Sequence, residues 1–235
     1  MLSPAPRATG ESDINTTMLI DLSHTIEQGM ITYKGLPAPV ISDHLSRKDS
    51  RRYYEPGTEF HIGRIEMVAN TGTYLDSPFH RYEDGRDLAE LDLRSLADLE
   101  GVVVRAQHSS GRAINSQVLE QLDVKGRAVL FRTGWDTHWQ TEKYSNGTHP
   151  FLTADAAEYL ASEGATLVGI DSYNIDDTID GRRPVHSILL AHGIPIVEHM
   201  RNLDQLPDSG FRFFAVPVKV KDFGTFPVRA FAIVP

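Results

Sequence analysis

Hydrophobic positions along the chain come in short apolar runs separated by polar turns. That punctuation suits a sheet with helices packed on it better than a helical bundle. Met18-Leu19-Ile20-Asp21-Leu22, Gly101 to Ala106, Ala128 to Gly134 and Thr166 to Asp171 are near-continuous apolar runs of strand length, the pattern of strands buried on both faces. Phe60 to Val68 alternates between apolar and polar and reads as a strand that ends at a polar loop. Asn115 predicts a capped helix through Leu122, with Val118, Leu119 and Leu122 as its stripe. Thr153 opens a second helix, with Ala156, Ala157, Tyr159 and Leu160 on the apolar side and Gly164 to end it. Pro184 suits the first position of a third, through His192, with Gly193 as its stop. Glu90 to Leu99 fits neither period, and the tail from Phe211 to Val234 reads as a two-stranded hairpin that finishes the sheet. A strand, a helix and a strand within about 40 residues make a βαβ unit. The expected fold is therefore a single α/β domain with a mixed central β-sheet flanked by helices.

One stretch carries far more chemistry than the rest. Asn70-Thr71-Gly72-Thr73-Tyr74-Leu75-Asp76-Ser77-Pro78-Phe79-His80 packs a carboxamide, a phenol, a carboxylate and an imidazole around two turn-formers. If the extended backbone continues, side chains at 70, 74 and 76 share a face, because strands repeat every second residue. Pro78 then stops ladder pairing and His80 follows on the turn.

Composition narrows the picture. A chain of 235 residues supports one sizeable core, here expected over residues 18–235, and the Pro- and Ser-rich residues 1–17 read as an N-terminal arm. A formal net charge of −9 without a basic block argues against nucleic acid or an anionic membrane as partner. With no cysteine, disulfides and thiolate chemistry are excluded, so any metal must be held by His, Asp, Glu or backbone oxygen. No apolar run reaches the roughly 18 residues of a membrane span, and no secretory leader is evident, so the expected location is cytoplasmic.

The stretch around Asp76 resembles the signature His-x-Gly-Thr-His-x-Asp-x-Pro-x-His of the cyclase-like metal-dependent hydrolases, the family of bacterial kynurenine formamidase and isatin hydrolase. Gly72, Thr73, Asp76, Pro78 and His80 stand in register, while Asn70 and Tyr74 replace the two early histidines. The opening Asp21-Leu22-Ser23-His24 is similar too. So is the pair His186 and Glu198, twelve positions apart and followed by Asn202-Leu203. The resemblance extends from about residue 19 to 234. It implies a divalent metal, zinc or manganese, on Asp76, His186 and Glu198, with His80 as the proton-transfer residue. It also implies assembly as a homodimer or homotetramer.

Losing two imidazoles weakens a zinc site and shifts preference toward harder ions, because a carboxamide and a phenol of pKa about 10 are poor zinc ligands. Three readings stand. In the first, the chain hydrolyses a small amide, lactam or lactone through a reduced metal site, with His80 as base and Tyr74 or Asn70 polarising the carbonyl. In the second it is a metal-independent cyclase, lyase or isomerase in which His80 and Tyr74 share acid and base work. In the third it binds a ligand without catalysis. Trp135, which leaves a strand into a polar loop, and Tyr53, in the charged segment from Ser42 to Pro56, are the candidates for contacting an aromatic small-molecule substrate. His24, Asp171 and Asp176 read first as structural, the two acids holding loops through backbone amides.

Overall fold

The valine-rich runs in the middle of the chain become adjacent parallel strands. The computed structural model describes residues 17–106 and 111–235, so the arm expected at the N-terminus lies almost entirely outside the described residues. Nine strands form one mixed sheet: β1 (Met18–Asp21), β2 (Tyr74–Asp76), β3 (Leu99–Arg105), β4 (Ala128–Arg132), β5 (Leu167–Ile170), β6 (Ile196–Glu198), β7 (Ser209–Phe214), β8 (Thr225–Pro227) and β9 (Phe231–Val234). Their spatial order is β1-β9-β7-β3-β4-β5-β6-β2-β8. Neighbours from β3 to β6 run parallel, and every other pairing is antiparallel.

Parallel strands need crossovers, and the helices predicted from Thr153 and Pro184 supply two of the three. Helix α1 (Ala154–Ser162) links β4 to β5 and α2 (Pro184–Ala191) links β5 to β6. Gly164 and Gly193 follow the two helices with φ of +78° and +72°, the left-handed turn that ends a helix most cheaply on glycine. Alternate residues of the same strands feed two cores. Val103, Leu130, Leu167 and Val197 point to one side. Val102, Val104, Val129, Phe131, Val168 and Ile196 point to the other, where they meet Ala156, Leu160, Val185 and Leu189 of the helices. The Glu90–Leu99 stretch, which fitted neither period, covers the first core with Leu91, Leu96 and Leu99 around a single 3₁₀ turn at Leu93–Ser95.

Three expectations change. The helix from Asn115 is only a 3₁₀ turn, Ser116–Val118, although Asn115 caps it as predicted by accepting from the Gln117 amide. The strand read at Phe60 to Val68 exists as Ile62–Glu66 but pairs with Val40–Leu45 in a separate two-stranded ribbon. The tail is not a hairpin: β7 pairs with β9, while β8 between them crosses to the far edge and pairs with β2. Sequence pattern marks extended segments but not their partners, and a segment as short as β8 has no period to read. No helix among the described residues is long and apolar enough to cross a membrane.

Candidate active site

Strand register brings the acids together. Tyr74 stands opposite Glu198 across β2 and β6, and Asp76 stands opposite Thr225 across β2 and β8. Directly paired residues share a face, so Tyr74, Asp76, Glu198 and Thr225 all point to the helical side of the sheet. Helix α2 delivers His186 to the same place. Asp176 fixes that helix start, because its carboxylate accepts from the Val185 amide at 2.7 Å, the His186 amide at 3.0 Å and His186 Nδ1 at 2.7 Å. With Nδ1 committed, His186 Nε2 faces Asp76 Oδ2 at 3.6 Å and Glu198 Oε1 at 3.8 Å.

Asp76 and Glu198 are fully buried, and Asp76 Oδ2 has no hydrogen-bond partner among the described residues. Asp76 Oδ1 accepts from the Thr225 hydroxyl, whose oxygen lies 2.8 Å from His80 Nδ1. Thr225 has one proton, so when it goes to Asp76 the threonine oxygen accepts from His80 Nδ1–H. The lone pair of His80 is then on Nε2. Burial disfavours the charge on Asp76, yet His80, His186 and Thr225 outweigh it and hold its pKa below the usual carboxylate value. Burial also works against a charged His186, but Glu198, Asp176 and Asp76 overcome it and lift that imidazole to about 10. Glu198 is raised, chiefly by burial.

Tyr74 serves Glu198. Its hydroxyl donates to Glu198 Oε2 at 2.7 Å, while the Ile175 amide donates to Oε1 at 2.7 Å. Burial, then the nearby charges of Glu198 and Asp76, push the phenol well above its ordinary pKa, so it keeps its proton. Asn70 stands near the same hydroxyl and favours its ionised form, a smaller effect than burial, even though Gly72, at φ +68°, breaks the extended backbone between them. His199 Nε2 lies 3.3 Å from the Tyr74 oxygen, and Tyr144 OH lies 2.8 Å from His199 Nδ1. Burial lowers His199 to about 3, which keeps it neutral, with Tyr144 donating to one nitrogen and the other donating to Tyr74.

A cavity of about 390 Å³ opens onto this cluster, with Tyr33, Asn70, Tyr74, His80, His186 and Glu198 in its walls. A wider hollow of about 830 Å³ lies between Glu27–Thr32 and Gln140–Asn146, but none of Asp76, His80, His186 and Glu198 lines it. Of the residues the sequence singled out, Asn70, Tyr74, Asp76, His80, His186 and Glu198 thus gather in one place. Trp135 and Tyr53 do not join them. Trp135 is buried in an aromatic cluster with Tyr144 and Tyr173, its Nε1 donating to the Tyr144 carbonyl at 3.1 Å. Tyr53 is 72% exposed beyond the ribbon. The aromatic wall is instead Tyr33, stacked on Tyr173 with centroids 4.6 Å apart. Its one signal in the sequence was a loop position beside Gly35 and Pro37. Asp171 holds the loop after β4 through the Thr133 and Gly134 amides, at 2.7 and 2.9 Å.

Asp76, His80 and His186 form a group that could hold a divalent cation, and Glu198 borders it through His186. Ligand atoms around a tetrahedral ion at about 2.0–2.2 Å stand roughly 3.3–3.6 Å apart. The gaps from His186 Nε2 to Asp76 and Glu198 are close to that range and too long for hydrogen bonds. One ligand atom from each of Asp76, His80 and His186 also lies within 4.8 Å of the others, so His80 borders the same point.

A family model described as putative cyclase matches residues 20–177. Kynurenine formamidase of Bacillus cereus is 28% identical over 218 residues, covering 92% of this chain and 98% of that one. A solved structure described as a potential metal-dependent hydrolase with cyclase activity superposes with a TM-score of 0.76 at 26% identity, over 93% of this chain and 98% of the other. An isatin hydrolase bound to the product analogue thioisatinate shares the fold, with a TM-score of 0.79 at 23% identity over 93% of both chains. The matched segment includes β2 and the turn that carries His80. On that match, this chain belongs to the putative cyclase family.

Proposed function

We propose that this chain is a hydrolase of a small amide, lactam or lactone, acting in the cavity above Asp76, His186 and Glu198. The observation that carries the reading is the pair of buried carboxylates facing one imidazole nitrogen, with Asp76 Oδ2 left without a donor among the described residues. Two carboxylates removed from water are costly unless positive charge joins them; protonated His186 supplies one such charge, and an ion bound there would take the place of its Nε2 proton. Asp76, His186 and Glu198 would hold a divalent ion, zinc or manganese, which supplies polarisation of a carbonyl and a water of lowered pKa. Relatives named for kynurenine formamidase and isatin hydrolase activity support a C–N bond as the target.

His80 is the acid/base group. Unlike the buried ligands it is partly exposed, with 36% of its side chain reached by solvent, and it lines the cavity. Its Nε2 lone pair takes the proton of the attacking water as the new C–O bond forms. The Nδ1–H to Thr225 to Asp76 chain stabilises the imidazolium that results. The same nitrogen then protonates the leaving group as the scissile bond breaks, so the proton balance closes on His80. Tyr74 acts at one remove. Its hydroxyl is committed to Glu198, so it positions that carboxylate rather than polarising the substrate. Asn70 sits in the cavity wall beside Tyr74, where its carboxamide can reach a bound substrate.

The test is a panel of aryl formamides, isatin and lactones assayed with the purified protein and with Asp76→Asn. Hydrolysis of at least one member, lost together with ion uptake in the variant, is the expected result. A wild-type protein that takes up the ion and turns over nothing in the panel contradicts the reading.

A further inference from the structure

Three arginines stand at the mouth of the catalytic cavity: Arg81, Arg182 and Arg183. In a chain of net charge −9 this is a local reversal of sign, and the three are not equivalent. Arg182 is spent on Asp180, with Nη2 to Oδ2 at 2.9 Å. Arg183 meets only neutral acceptors, the Asp177 carbonyl at 3.1 Å and the Tyr33 hydroxyl at 3.4 Å. Arg81 donates to the Ser187 hydroxyl at 3.2 Å and lies over the Tyr82 ring, 5.2 Å from its centroid. Neither has a carboxylate in ion-pair range among the described residues. The acid in the cavity wall, Glu198, is buried and already accepts from Tyr74 and Ile175.

The backbone at Arg183 adds a second observation. Its φ of 50° and ψ of 61° are left-handed, a conformation that side-chain-bearing residues adopt at a cost and that collects at functional sites. Here it turns the chain into helix α2 and leaves the guanidinium beside Tyr33, the aromatic wall of the cavity. A planar cation at the hydroxyl end of an aromatic wall is a receptor for an aryl group that bears a carboxylate.

We propose that Arg81 and Arg183 make the cavity selective for anionic substrates, namely amides whose aryl or acyl part carries a carboxylate. This rests on the hydrolase reading for the word substrate, but the charge preference can be measured by binding alone. Calorimetric titration of benzoate and of benzamide into the protein as purified, and into the double variant Arg81→Gln/Arg183→Gln, reads it directly. Benzoate should bind at least tenfold more tightly than benzamide, on the scale of losing a charge-assisted contact. The double variant should lose that preference, and Arg183→Lys, which keeps the charge, should retain most of it. Equal binding of the two ligands overturns the proposal, as does a benzoate preference that survives in the double variant, since the carboxylate would then be held elsewhere. In turnover, the ratio of kcat/KM for 2-formamidobenzoate to that for formanilide should fall at least tenfold in the double variant; an unchanged ratio also overturns it. If neither formanilide is hydrolysed while the arginine-dependent binding preference holds, the hydrolase reading fails and the anion selectivity stands.

Discussion

Thr225 has one proton to give, and its destination sets the state of His80. Because Asp76 takes it, His80 donates through Nδ1 and keeps its lone pair on Nε2, on a residue that lines the cavity. His80→Ala should therefore lower kcat by about 10²-fold or more, measured under saturating substrate; an unchanged kcat removes His80 from the mechanism. Tyr74→Phe tests the other bond. It leaves a buried carboxylate short of one donor, and should destabilise the protein by about 1–3 kcal/mol in denaturant titration; no loss would mean that Glu198 finds a substitute. At this scale the sequence was readable where chemistry is local. Asp76 and His80 are four residues apart across a proline turn, and their register with the family signature marks them. Thr225, 149 positions beyond Asp76, gave no signal, since a threonine before a phenylalanine has no distinguishing pattern. Tyr33 and Tyr53 are both aromatic loop residues, and only the folded chain shows which one faces the cavity.

Short elements do the positioning. β2 and β8 have three residues each, too few for period to declare a partner, yet their pairing is what sets Thr225 against Asp76. The turn into β8 passes so close to the His80 turn that a Cβ at Gly224 would lie 2.5 Å from the His80 backbone nitrogen and 2.6 Å from its Cα. Backbone cannot swing aside as a side-chain tip can. Gly224→Ala should therefore cost about 1–3 kcal/mol in stability and lower kcat together with it. Denaturant titration and steady-state kinetics on one preparation check both, and full activity at unchanged stability would contradict the close approach. The long apolar runs, by contrast, declared themselves: β3, β4 and β5 are buried on both faces, and each was visible as a continuous hydrophobic stretch. The capped helix at Asn115 was over-extended because a cap and a three-residue stripe fit a 3₁₀ turn as well as a longer helix.

For the whole molecule, buried titrating groups set the response to pH. Burial, aided by Arg201, lowers His24 to about 3, while in the unfolded chain it titrates near 6.5. The unfolded state thus binds the extra proton between those values, and stability is lost as pH falls from about 6.5 toward 3, by up to about 1.4 kcal/mol per pH unit. Asp171 works in the opposite sense. Burial raises it to about 7 from 3.8, so its contribution is lost as pH rises through that interval. His24 stacks on Trp139 with ring centroids 3.9 Å apart, and its Nε2 has no hydrogen-bond partner among the described residues. His24→Phe keeps the stack, so its stability should gain on that of the wild type as pH drops below 6.5; parallel pH profiles would show that His24 takes up its proton equally in the folded and unfolded states. We also propose that the chain assembles with copies of itself through the ribbon Val40–Leu45 and Ile62–Glu66, where Val40, Ile41, Ile62 and Ile65 are about half exposed. A two-stranded ribbon is marginal alone. Light scattering should report a dimer or tetramer, and a monomer at micromolar concentration would contradict it.

The account turns on positive charge between Asp76, His186 and Glu198, and one determination reaches it most directly: divalent ion content per chain, with aryl formamide hydrolysis assayed on the same preparation before and after chelation. One equivalent of ion, with hydrolysis that disappears on its removal and returns with zinc or manganese, is the predicted result. Two tightly held equivalents, or hydrolysis undiminished once the ion is gone, would contradict it.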